Sequence, residues 1–117
     1  MSLYPPPKTI KAEVFSRVPE KQRKKVRSTW ADINKAGQIC DAFLEGPSFD
    51  RQGNLWVTDI PHGRVFKVSP AGDWSLVTEY DGWPNGLKFH QDGRAFITDY
   101  KRGIMVLDPA SGRVTPL

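Results

Sequence analysis

An all-β architecture of repeated propeller blades is what this chain predicts, on three observations. Shifting the sequence by forty positions places Glu45-Gly46 on Asn85-Gly86, Phe49 on Phe89, Gly53 on Gly93, Thr58-Asp59 on Thr98-Asp99 and Gly63 on Gly103, in one register without a gap. From residue 44 onward, short apolar runs alternate with turns rich in Gly, Pro and Asp, the pattern of closely spaced strands. Inside Leu55-Trp56-Val57 and Ile104-Met105-Val106-Leu107 the apolar/polar alternation fails, as it does in sheets covered on both faces. A period of about forty residues with four short strands per unit is that of a propeller blade, whereas solenoids of similar period are helical.

Three segments follow from this pattern: a basic, Pro-containing leader over 1–41, a first blade over 42–81 and a second over 82–117. In the leader, Pro5-Pro6-Pro7 favours extended, solvated backbone. Residues 12–15 alternate in polarity and read as a possible edge strand. Lys21, Arg23, Lys24, Lys25 and Arg27 place five positive charges within seven residues; this reads as a solvated loop, for it lacks interleaved aromatics, a helix-turn-helix pattern and zinc spacing. Trp30, Ile33, Ile39 and Phe43 are candidates to anchor the end of the leader onto a core.

The first blade is expected as strands over 47–50, 55–59, 64–68 and 74–79, joined by the turns Arg51-Gln52-Gly53, Pro61-His62-Gly63 and Ser69-Pro70-Ala71-Gly72-Asp73. The second repeats this over 86–89, 95–99, 104–107 and 113–117. Each unit is a four-stranded meander. Propellers need about four to eight blades around a channel, and two blades alone expose a large apolar face. The remaining blades are therefore expected from the rest of a longer protein or from other copies of this chain.

Charge and composition limit the function classes. The net charge of +4 is concentrated in front: residues 1–44 carry nine Lys/Arg against four Asp/Glu, residues 45–117 eight against nine. A nearly neutral blade region argues against nucleic acid as partner. Cys40 is the single cysteine, so an internal disulfide is excluded and a reducing compartment is compatible. It reads as a small packing residue beside Phe43. No apolar run approaches the roughly 18–20 residues of a membrane span, and the start Met-Ser-Leu-Tyr-Pro-Pro-Pro has no signal-peptide pattern. A cytoplasmic location is the expectation.

The run Phe43-Leu44-Glu45-Gly46-Pro47-Ser48-Phe49-Asp50, followed by Gly53-Asn54-Leu55-Trp56-Val57-Thr58-Asp59-Ile60 and Gly63-Arg64-Val65-Phe66-Lys67-Val68, resembles the first blade of the regucalcin, gluconolactonase and luciferin-regenerating-enzyme (senescence marker protein) family of six-bladed propellers. The likeness covers residues 42–117 and is to the family's amino-terminal portion. It implies a lactone-hydrolysing enzyme with a small lactone or sugar-derived substrate, and one divalent metal in the central channel. That metal would be calcium or zinc, with magnesium or manganese also compatible. Its first ligand would be the Glu of Glu-Gly-Pro, here Glu45. The family's remaining ligands, typically an Asn and an Asp, come from later blades that this chain does not contain, so the chain by itself is expected to be inactive.

Asn85 stands one blade on from Glu45 and is a candidate substrate contact, set against a turn Asn before Gly86. Trp83 is a candidate substrate platform, set against ordinary packing. Asp59 and Asp99 read as structural acceptors of backbone N–H groups at strand ends. His62 and His90 lack partners at catalytic or metal-binding spacing. A different function class is a two-blade binding module in which three chains close one ring head to tail, and another is a nucleic-acid or acidic-surface binder working through the basic leader.

Overall fold

The computed structural model describes residues 3–117; the reading of Met1 and Ser2 as part of an unremarkable start lies outside the described residues. Two four-stranded antiparallel sheets follow one another along the chain, in the orders β1-β2-β3-β4 and β5-β6-β7-β8. The first comprises β1 (Leu44–Phe49), β2 (Leu55–Asp59), β3 (Arg64–Val68) and β4 (Trp74–Glu79). The second comprises β5 (Pro84–Phe89), β6 (Ala95–Asp99), β7 (Gly103–Leu107) and β8 (Val114–Pro116). Each strand pairs with the next in sequence, which is the meander expected of a blade.

The innermost strands begin earlier than the turn residues suggest, at Leu44 and Pro84 rather than 47 and 86. The reason is a bulge in each. In β1 the pairing passes from Glu45↔Thr58 to Ser48↔Trp56, and in β5 from Pro84↔Asp99 to Gly86↔Thr98. Proline has no N–H to give a ladder, and Pro47 and Pro84 both lie at these irregularities. Gly46 adopts φ +56°, and a Cβ there would sit 2.3 Å from the Asn85 carbonyl oxygen. The two inner strands thus approach at a point where any side chain would collide.

Between the sheets lies the main core: Trp56 and Val65 of the first blade against Leu87, Ala95, Ile97, Met105 and Leu107 of the second, with Val77, Phe89 and Val114 at its margin. Because successive side chains in a strand point to opposite faces, Val57, Phe66 and Val68 lie on the first blade's other face. They too are buried, and the leader covers them. Ser16 Oγ donates to the Gly72 carbonyl and accepts from Trp74 Nε1 at 2.9 Å, Arg64 Nη1 donates to the Gln22 carbonyl at 2.7 Å, and Val18 is buried. A groove of about 410 Å³ remains between Val14–Arg17 and Leu44, Leu55, Val57, Val68 and Trp74.

Residues 12–15 form no strand; Val14 and Phe15 are exposed. The basic run is exposed or half-buried and is paired within the chain: Arg23 with Asp41, Lys24 with Glu79, Lys25 with Glu20 and Arg27 with Asp32. Helix α1 (Thr29–Asn34) starts where the Ser28 hydroxyl accepts from the Ala31 N–H, and it stops at Ala36 and Gly37, both left-handed. Trp30 and Ala31 pack on Ile60, Cys40, Phe43 and Trp83. Of the four expected anchors, Trp30 and Phe43 dock, with ring centroids 5.0 Å apart. Ile33 and Ile39 are 68% and 62% exposed.

Candidate functional site

Glu45 and Asn85 occupy the same end of the two inner strands, one blade apart. A bulge rotates side chains out of the pleat, and Glu45 is the residue at which the bulge begins. Its carboxylate is half-buried and has no hydrogen bond or ion pair among the described residues. Asn85 is exposed; its carbonyl accepts from Thr58 Oγ1 of β2 at 2.7 Å, which ties the first blade to β5, while its side-chain amide makes no bond among the described residues. Asn85 lines a shallow groove of about 240 Å³ with Thr98, Asp99, Tyr100, Gly103 and Ile104.

Trp83 is two positions away but faces elsewhere. Its ring stacks on Tyr100 with centroids 5.9 Å apart, packs against the α1 cluster, and lines a separate groove with Lys24, Arg27, Tyr80 and Lys101. Trp83 and Asn85 share no cavity among those found.

The strand-end carboxylates are structural. Asp59 is fully buried: one oxygen accepts from the Phe43 N–H at 2.7 Å, the other from Arg64 Nε at 2.8 Å. Arg64 Nη2 lies 2.7 Å from the same oxygen, an ion-pair distance out of line for a hydrogen bond. Asp99 accepts from the N–H groups of Trp83, Lys101 and Arg102 and from the Tyr80 hydroxyl at 2.7 Å. Burial and then the Asp99 carboxylate push the Tyr80 phenol far above its usual value, so it stays a hydrogen-bond donor. Both carboxylates are thereby committed to backbone and neighbours and have little capacity left for a ligand.

The remaining candidates are equally occupied. His62 bonds the Cys40 carbonyl at 2.9 Å, and His90 faces Asp92. Burial, with Asp59 and Asp41 nearby, raises the Cys40 thiol, the opposite of what a nucleophile needs. One carboxylate does not make a divalent-metal site, and among the described residues no three His, Cys, Asp or Glu side chains gather to hold an ion. No helix among the described residues is long and apolar enough to cross a membrane.

Two features escaped the sequence reading. Thr58 bridges the blades through its hydroxyl, and the repeated Thr-Asp pair was the available signal. The other is an open groove of about 560 Å³ at the opposite end of the inner strands, lined by Phe49, Trp56, Lys67, Phe89 and His90 among others; residues scattered over four strands left no local pattern to find it by.

Comparison with known proteins places this geometry in context. A family model, the SMP-30/Gluconolactonase/LRE-like region, matches residues 43–117. A curated relative from Staphylococcus aureus (strain bovine RF122 / ET3-1), lactonase drp35, is 37% identical over 70 residues, covering 58% of this chain and 20% of the relative. The protein of the same name from Staphylococcus aureus (strain MRSA252) is 39% identical over 70 residues, with the same coverage. That from Staphylococcus epidermidis is 40% identical over 71 residues. The matched part of this chain spans about a fifth of the length of these relatives.

Proposed function

This chain belongs to the SMP-30/Gluconolactonase/LRE-like family, and from that premise we propose that it is the amino-terminal, two-blade part of a cytoplasmic lactonase-like hydrolase, which opens a small lactone or sugar-derived ring. The observation that carries the reading is Glu45: a carboxylate on the bulged innermost strand, half-buried, and without a partner among the described residues. A half-buried carboxylate without a protein partner is an oxygen ligand of the kind a divalent cation takes. In this proposal Glu45 contributes one ligand to calcium or zinc, while further ligands come from blades beyond residue 117, and the two blades alone are inactive. Asn85, exposed on the neighbouring inner strand with its amide free of bonds among the described residues, supplies a polar contact to substrate at the same mouth. Trp83 at most borders the substrate's approach, since its ring is already stacked on Tyr100.

The test joins this chain to the sequence encoded downstream and follows lactone opening with added divalent metals. Glu45→Gln in that extended protein is expected to lower the rate at least about a hundredfold, in line with the several kcal/mol a catalytic metal supplies, and to weaken metal binding measured by calorimetry. Its unfolding free energy is expected to stay within about 0.5 kcal/mol of the parent, as for a residue outside the structural networks. An unchanged rate removes Glu45 from the site.

A further inference from the structure

The groove of about 560 Å³ at the end of the inner strands opposite Glu45 lies in the seam between the two sheets. Trp56 and Lys67 of the first blade bound it on one side, Phe89 and Pro109 of the second on the other. Both walls belong to this chain. Any further blade of a propeller packs on the outer faces of the two sheets, so it does not enter the seam between them. Trp56 and Phe89 meet edge to face, with ring centroids 5.3 Å apart. The volume falls within the roughly 300–1,000 Å³ of small-molecule sites and is too small for a folded partner.

Lys67 is half-buried and has neither a hydrogen bond nor an ion pair among the described residues; its Nζ stands 5.9 Å from the Trp56 ring centre. The carboxylate that lines the groove is Asp50, and it is already spent. Its two oxygens accept from the N–H groups of Gln52 and Asn54, the Asn54 amide and Trp56 Nε1. Arg51 reaches across the seam and donates from Nη2 to the Gln91 carbonyl at 2.6 Å, and His90 stands at the rim with Nδ1 turned to Asp92. The blade itself does not demand the lysine. Trp56 pairs with Lys67 across β2 and β3, whereas at the equivalent place in the second blade Phe96 pairs with Val106. The aromatic recurs and the cation does not, so an apolar residue satisfies the strand position and the ammonium is left to serve the groove.

We propose that this groove binds a small organic carboxylate with a flat apolar body. The planar part lies against Trp56 and Phe89, where edge and face contacts favour a ring. The carboxylate meets Lys67 Nζ in a charge-assisted hydrogen bond, with the Arg51 guanidinium at the rim. A neutral ring lacks the second contact, and a short aliphatic acid lacks the first. The groove is at the opposite end of the inner strands from Glu45 and takes no part in lactone opening, so it stands or falls apart from the reading of Glu45.

The experiment is calorimetric titration of the chain, joined to the sequence encoded downstream, with naphthalene-2-carboxylate, beside naphthalene-2-carboxamide and acetate. The naphthalene carboxylate is expected to saturate a single site, and the carboxamide and acetate to bind at least about tenfold more weakly. Lys67→Gln is expected to weaken the naphthalene carboxylate at least about tenfold, the worth of one charge-assisted contact. Lys67→Met, an apolar replacement like the second blade's Val106, carries the same expectation. Lys67→Arg keeps the charge and is expected to hold the affinity within about threefold. Thermal unfolding midpoints report that each variant is folded. Glu45→Gln is expected to leave the affinity unchanged. Absence of saturable binding overturns the proposal, as does a carboxamide that binds as well as the acid. Parent affinity in a folded Lys67→Gln or Lys67→Met overturns it too, and loss of binding in Glu45→Gln would move the acid to the Glu45 mouth and overturn it likewise.

Discussion

Thr58 Oγ1 on β2 donates to the carbonyl of Asn85 on β5 at 2.7 Å, a side-chain bond that joins the two blades near the Glu45 end. Thr58 is fully buried, whereas Asn85 is exposed. Thr58→Val keeps the volume and is expected to cost about 1 kcal/mol, the net worth of one hydrogen bond. Urea denaturation of parent and variant measures it. Thr98→Val removes an exposed acceptor of the Gly86 N–H and is expected to cost less, since water can take the lost partner's place.

Arg64 and Asp59 form the buried ion pair of the first blade, 2% and 0% exposed at their side chains. Removing the cation strands a carboxylate with the Phe43 N–H as its remaining hydrogen-bond donor. Arg64→Met is expected to destabilise by about 3–5 kcal/mol, and Arg64→Met with Asp59→Asn by clearly less, because a neutral pair does not leave an unpaired charge. A double-mutant cycle by chemical denaturation gives the coupling.

Asp50 predicts a pH dependence. Burial raises its pKa, but bonds from the Asn54 side chain, Trp56 Nε1 and the backbone N–H groups of Asn54 and Gln52 outweigh that and hold it below the usual carboxylate value. A lowered folded pKa means that the ionised group stabilises the fold above its unfolded pKa of about 3.9 and that this contribution is lost as pH falls through the lower folded value. The stability gap between the parent and Asp50→Asn is therefore expected to be constant near neutral pH and to shrink below about pH 4. Denaturant midpoints at stepped pH test this; a gap that widens on acidification contradicts it.

The strands and their order were legible because the repeat is local: turns such as Arg51-Gln52-Gly53 and Gln91-Asp92-Gly93 recur with their glycines at φ +83° and +95°, and every strand pairs with its sequence neighbour. The inner-strand starts were not legible, since Glu45-Gly46-Pro47 reads as a turn unless one knows that a bulge accommodates Gly46 and Pro47. The leader was harder still. Its docking depends on Ser16 and Gln22 meeting partners 42 to 58 positions away, with no repeat to announce them. At the candidate site, the strand-end positions of Asp59 and Asp99 already marked them as acceptors of backbone N–H groups, while Glu45 was pointed to by the resemblance alone. That difference lies in which carboxylates meet N–H groups after folding.

The long reach of those leader contacts also orders events in time. Each blade assembles from hairpins of adjacent strands, contacts of short sequence separation that form quickly. Joining Ser16 to Trp74 closes a loop of 58 residues, and the entropy of closing it is recovered only once the strands it grips exist. The leader should therefore settle last during refolding and be the first part to leave on mild denaturation, so that the first blade's outer face meets solvent before either sheet has come apart.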